Sequence, residues 1–326
     1  MGRTPKIVSF ILTGLLVAVC CAAYWGNVQY KGPGPLKTAK TVIIERGAGT
    51  NAIARDLSQA GVLASPLVFR IAARLTERGK PLQAGEYAFP AKVSPEAVLA
   101  ILRSGKTVVR RVTFAEGLST AEILSQLART KGLRGSVLSP PGEGELLPET
   151  YHFSLGDTRQ EIVRRMSTAM DDLMANLWRN RAQGLPLKSP EEALILASIV
   201  EKETGVAAER PRIAAVFINR LNKGMRLQSD PTVVYGLTRG EKPLGRTLLR
   251  ADLKKPSPFN TYVIDGLPPA PISNPGAASL EAVLRPAESQ DLYFVADGTG
   301  GHVFAKTLAE HNRNAAKWRK LNRTGK

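Results

Sequence analysis

From Ile7 through Tyr30 the chain carries no charged residue, and residues 7–25 are almost wholly apolar. As a helix, those 19 residues reach about 28 Å, close to the hydrocarbon thickness of a bilayer. Everything else must fold around a segment that water does not accept. Tyr24 and Trp25 fall where an aromatic belt meets the far interface. We read residues 7–25 as a retained single-pass transmembrane anchor, residues 1–6 as a cytoplasmic N-terminus and residues 26–40 as a linker. The competing reading is a cleaved signal peptide, with Cys21 and Ala23 as the small residues at the cleavage positions. Flanking charge gives little orientation, because Lys31, Lys37 and Lys40 all lie beyond the segment.

The remaining chain is large enough for two soluble modules, with 326 residues in all and 43% hydrophobic content. Both cysteines, Cys20 and Cys21, sit inside the apolar run, so the soluble part has no disulfide and no thiol chemistry. The histidines, His152, His302 and His311, lack metal-ligand spacing, so neither a metal nor a cofactor is expected; His302 beside a glycine turn is a pocket candidate. A formal charge of +17 asks for anionic surroundings, which nucleic acid, a phospholipid surface or an anionic cell-wall polymer all supply. Nucleic acid is the poorest of these. Aromatics make up only 6%, and no zinc-finger or RNA-binding signature is present.

Capping residues and periodicity predict a small mixed unit over residues 41–107. It contains a strand at 41–45, helices at 51–60 and 66–78, a strand at 85–89, and a helix at 95–104 capped by Ser94 and stopped by Gly105. Its Gly47-Ala-Gly-Thr-Asn-Ala run mimics a dinucleotide fingerprint, but no acidic residue follows at a second strand end, so it reads as a turn. The second module, residues 108–320, starts with a strand and a helix at 120–129. Thr158 and Glu161 then form a capping box for a helix reaching Trp178, cored by Ile162, Met166, Met170, Leu173 and Leu177. Residues 321–326 form a basic tail.

One helix in this module has explicit ends: Ser189 as N-cap, Pro190 first, Glu192 closing a capping box, and Gly205 just past the end. Glu203 falls in its last turn. Its neighbours at helical spacing are Val200, Ile199 and Leu196, whereas Glu201 faces Ala197 and Ser198. Desolvation and the negative end of the helix dipole both push such a carboxyl toward its neutral form, the state a general acid needs. The structural alternative is a salt bridge from Glu203 to Arg210 or Arg220.

The strings ASIVEKETG, FINRL, GMRLQSDPTVVYG, FNTYVIDGLPPAPISNPG and LYFVADGTGGHVFAKTLAEHN occur in that order between Leu194 and Asn312. Together they resemble the YceG-like endolytic murein transglycosylase family, with looser similarity back to about Thr41. The resemblance implies an α+β fold with an N-terminal transmembrane helix, a small LysM-like module and a mixed catalytic domain. It implies Glu203, the second Glu of Glu-Lys-Glu-Thr, as the catalytic residue, and peptidoglycan glycan strands as substrate, with no cofactor. Thr204, Gln228, Asp230, Asn260 and Tyr262 are the expected sugar contacts. Asp230 has two further readings, as a helix cap or as a second carboxylate for hydrolysis.

The implied location is the inner membrane, with the catalytic domain outside the cytoplasm, beside the peptidoglycan synthases of elongation or division. A muramidase-type hydrolase and a non-catalytic cell-wall scaffold are the alternatives. Two positions depart from the family pattern: Glu149 where Asp is usual, and Phe259 where Tyr is usual.

Overall fold

The computed structural model describes residues 4–76 and 81–324. Its elements run α1 (Thr4–Lys31), β1 (Lys40–Ile44), α2 (Thr50–Gln59), α3 (Pro66–Leu75), β2 (Gly85–Phe89), α4 (Pro95–Ser104) and β3 (Arg110–Thr113). They continue with α5 (Thr120–Arg129), β4 (Thr150–Phe153), α6 (Arg159–Arg179), α7 (Pro190–Glu203), α8 (Arg210–Asn222) and α9 (Asp230–Thr238). The last are α10 (Ala277–Leu284), β5 (Tyr293–Ala296), β6 (His302–Ala305) and α11 (Leu308–Thr324). The fold is mixed α+β and divides into two units, one reaching to Arg110 with Phe153–Gly156 added, the other Arg111–His152 with Asp157–Lys326.

In the first unit β1 and β2 pair antiparallel, from Lys40 opposite Phe89 to Ile44 opposite Gly85. Ile53, Leu57, Phe69, Tyr87, Leu99 and Leu102 fill the core beneath them. Ser65 and Ser94 cap α3 and α4 as their hydroxyls accept from Val68 and Ala97 N–H, and Gly105 ends α4 at φ 66°, a left-handed turn that favours glycine. The helix α1 does not stop at Trp25. It continues to Lys31, and Ser9–Lys31 is apolar and long enough to cross a membrane. The stretch expected as a linker is partly ordered by packing: Leu36 is buried, its carbonyl accepts from Lys92 N–H, and Gly34 N–H donates back to Lys92.

The second unit is built on α7, a helix buried on nearly all sides, with Ala193 and every residue from Ile195 to Val200 in the core. It packs with α6, α8 and α10 around Met170, Phe217, Leu280 and Val283. The capping boxes at Ser119–Glu122 and Thr158–Glu161 are both complete. At α7 the arrangement differs from expectation. Ser189 accepts from Glu192 N–H, but the Glu192 carboxylate reaches one residue further back, to Lys188 N–H. Gly205 is not left-handed here, because Thr204 leaves the helix directly in extended conformation.

Candidate active site

The first eleven residues of α7 secure a helix whose final side chain, Glu203, is only partly buried. A turn later the chain returns as α8, whose end is pinned by Arg220. That buried guanidinium donates to the carbonyls of Leu292 and Leu227, both at 2.7 Å, and to Arg226. Arg220 thus fixes the following loop, Met225 to Ser229, against β5.

The loop carries its own strain point, Gln228 at φ 53°, a left-handed conformation that non-glycine residues seldom adopt. A closed cycle of hydroxyls holds it. Thr261 Oγ1 accepts from Ser229 N–H at 2.9 Å and lies 2.9 Å from Thr232 Oγ1, which donates to Ser229 C=O at 2.6 Å. With the Thr232 hydrogen so committed, the Thr261 hydroxyl must be the donor between them. All three residues are buried. The cycle leaves the Ser229 hydroxyl free to point outward, where it donates to Glu203 Oε1 at 2.5 Å.

Asp230, exposed at the start of α9, accepts from the Tyr262 hydroxyl at 2.7 Å. Burial, and then this bond to a carboxylate, push the Tyr262 phenol well above its ordinary value, so it remains a donor. On the Asp230 side lies a groove of about 500 Å³ whose lining includes Lys202, Asp230, Val234, Tyr235 and Lys242. Within electrostatic reach of Glu203, His302 Nδ1 meets Glu209 Oε2 at 2.8 Å while His302 N–H donates to Glu209 Oε1 at 2.8 Å.

Burial raises the Glu203 carboxyl to about 7. The Ser229 bond works against that rise, the Asp230 charge adds to it, and nearby His302 and Arg220 oppose it. Near neutral pH the group can therefore give a proton and then take one back. The arginines expected as salt-bridge partners are engaged elsewhere. Arg210 pairs with Glu201 at 3.3 Å and Glu116 at 3.2 Å, and Arg220 serves carbonyls. Glu201 also accepts from Gly276 N–H at 2.9 Å, so it ties α7 to the start of α10. Among the described residues, no group of three or more His, Cys, Asp or Glu side chains is placed to hold a metal ion.

A family model, the YceG-like family, matches residues 42–317. The chain belongs to the YceG-like family. It is similar to the endolytic murein transglycosylase of Bacillus subtilis strain 168, 31% identical over 318 residues, which span 86% of this chain and 85% of that protein. The endolytic murein transglycosylase of Streptococcus pneumoniae strain D39 is 28% identical over 325 residues, covering 85% of this chain but 58% of its own length. A yceG-like protein of Listeria monocytogenes, known from a crystal structure, shares 31% identity at a TM-score of 0.52, over 85% of this chain and 99% of that one.

Within this YceG-like chain the expected site residues separate into two groups. Glu203, Asp230 and Tyr262 come together, and Gln228 is exposed on the adjoining loop. Asn260 does not join them. It is 1% exposed, its amide donates to the carbonyls of Asp252, Leu253 and Lys255, and its oxygen accepts from Tyr262 N–H, so it holds the proline-rich loop from within. Thr204 is likewise buried; its hydroxyl accepts from Val206 N–H and faces Glu209. Nor is Asp230 a helix cap: Ser229 occupies the N-cap position, and Asp230 begins the helix proper.

Ser229 stands in the sequence only within the string GMRLQSDPTVVYG, which gives no sign of its bond to Glu203. Nor does the sequence show the Glu209–His302 pair, although it marks His302 as a pocket candidate. Phe259, the departure from Tyr, is buried against Tyr235 at 4.9 Å between ring centroids and beneath Arg239, an apolar packing position.

Proposed function

We propose that the protein is a membrane-anchored endolytic murein transglycosylase that uses Glu203 as its single acid and base. The observation that carries this reading is the Glu203 carboxyl, raised to about 7 at the end of a core helix and held by Ser229, whose neighbour Asp230 lines a groove. Relatives spanning most of the chain bear that name.

In the first step the Glu203 carboxylic acid protonates the glycosidic oxygen between N-acetylmuramic acid and N-acetylglucosamine, and the bond from muramic C1 to that oxygen breaks. In the second, the muramic C6 hydroxyl attacks C1, and the Glu203 carboxylate removes its proton as the 1,6-anhydro ring closes. No water enters, and the tethered hydroxyl supplies the proximity that a water molecule lacks. Ser229 donates to the carboxylate after the first step and so eases its ionisation. Asp230 with Tyr262 and the exposed Gln228 are the groups available to the sugar.

Cleavage inside nascent strands ends their elongation, which puts the enzyme beside the synthases of elongation or division. The apolar α1 supports an inner-membrane anchor with the catalytic residues, 108–320, outside the cytoplasm. Residues 41–107, which supply nearly all of the first unit's core, are the segment the LysM-like reading covers. Asp230 favours one other reading, a muramidase, because it is a second carboxylate whose charge reaches Glu203. Digestion of murein strands in ¹⁸O-water separates the two. The transglycosylase leaves no solvent oxygen in the new muramic ends, whereas ¹⁸O at a reducing end overturns this mechanism in favour of hydrolysis.

A further inference from the structure

The helix α3 buries one face, Val68, Phe69, Ala72 and Ala73, in the core of the first unit. Its other face is apolar as well: Leu67, Ile71 and Leu75, four residues apart, are 57%, 49% and 81% exposed. A helix on the surface of a water-soluble module presents polar residues there, and a continuous apolar stripe marks a contact surface. Arg74 is exposed beside the stripe, and Arg70 borders it.

The place of this stripe identifies its partner. Tyr30, in the last turn of α1, packs against the core of the unit, and α1 touches α3, whose C-cap is Thr76. Arg103 locks the same corner, donating to Thr76 Oγ1 and to Ala73 C=O, both at 3.1 Å. Leu75 therefore stands next to the point where the apolar helix leaves the bilayer. The apolar span Ser9–Lys31 reaches about 34 Å as a helix, a few ångströms beyond a hydrocarbon core of about 30 Å, so Tyr30 and the end of α3 stand at the boundary between acyl chains and headgroups.

We propose that α3 lies in the membrane interface, its Leu67, Ile71 and Leu75 stripe in the boundary between headgroups and acyl chains. Arg70 and Arg74 rest on anionic phospholipid headgroups. The occupant of the stripe is the bilayer that α1 crosses, and the inference rests on α1 being a retained anchor. A second copy of the chain fits less well, because a two-fold pairing of α3 brings four arginines together with no acidic residue on the helix to offset them.

The test uses the full chain with Cys20→Ser and Cys21→Ser, carrying a spin label at Ile71→Cys or Leu75→Cys. The protein is reconstituted into vesicles of phosphatidylethanolamine and phosphatidylglycerol. Both labels should collide several-fold more often with lipid-soluble oxygen than with a water-soluble nickel chelate, and a label at exposed Asn222→Cys should show the reverse. Nickel-accessible labels on protein that floats with the vesicles overturn the interfacial placement alone. Protein that does not float overturns the anchor as well. Shielding from both reagents that fades as protein is diluted in the bilayer also overturns the proposal, since it means a second copy covers the stripe.

Discussion

The Ser229 hydroxyl donates to Glu203 Oε1 across 2.5 Å, joining a loop residue to a helix residue 26 positions earlier in the chain. The bond favours the ionised carboxylate and partly offsets the desolvation that raises its proton affinity. Ser229→Ala removes that offset. The alkaline limb of the pH–rate profile should move to higher pH, and the rate at neutral pH should fall about 10- to 100-fold as the carboxyl loses its orientation. Release of anhydro-muropeptides measured from pH 5 to pH 9 checks both effects, and Ser229→Thr should restore the profile.

Asp230 has the opposite influence, since its negative charge raises Glu203. Asp230→Asn should therefore shift the alkaline limb to lower pH while products keep their anhydro ends. Tyr262→Phe keeps the charge and removes the phenol that Asp230 accepts from. It should lower the rate with a smaller shift of the limb. The two variants assayed side by side separate charge from positioning.

The raised carboxyl has a consequence for stability with a definite sign. Between the ordinary Glu value of 4.5 and about 7 the folded protein holds a proton that the unfolded chain has released, so stability falls as pH rises through that window. Glu203→Gln has no such proton. It should match the parent in denaturant unfolding below pH 4.5 and exceed it by about 2 kcal/mol above pH 7, allowing for partial access of water.

Glu201, two residues away, should behave in the reverse manner. Its side chain is 4% exposed and pairs with Arg210, itself 11% exposed, while also holding Gly276 N–H. Glu201→Ala should lower the unfolding free energy by about 2 kcal/mol at pH 7, because it leaves the mostly buried Arg210 with Glu116 alone and Gly276 N–H without its acceptor. Below its reduced melting temperature, the variant should keep most of its activity.

Three helices with side-chain caps were readable from sequence almost to the residue: α4 between Ser94 and Gly105, α5 after Ser119, α6 after Thr158; α3, capped by Ser65, ends at Leu75 rather than 78, and 77–78 lie outside the described residues. α10 escaped notice because Gly276 caps it without a side-chain bond, and its eight residues, mostly buried, lack amphipathic contrast. Glu203 was legible for a local reason, its aliphatic neighbours one turn back. Asp230 and Tyr262 came with the family strings, but Ser229 was not legible, since the cycle of Thr232 and Thr261 alone brings its hydroxyl to Glu203. Asn260 shows the limit of motif reading: a polar residue in a binding-site string is as readily spent on backbone carbonyls, and only the fold tells which.

The central claim is that one carboxyl, Glu203, performs both proton transfers in a cut that excludes water. Mass spectrometry of murein digested by the full chain in detergent, beside its Glu203→Gln variant, tests it most directly. The account predicts internal fragments ending in 1,6-anhydro-muramic acid from the parent and none from the folded variant. Anhydro ends of equal yield from both proteins would contradict it.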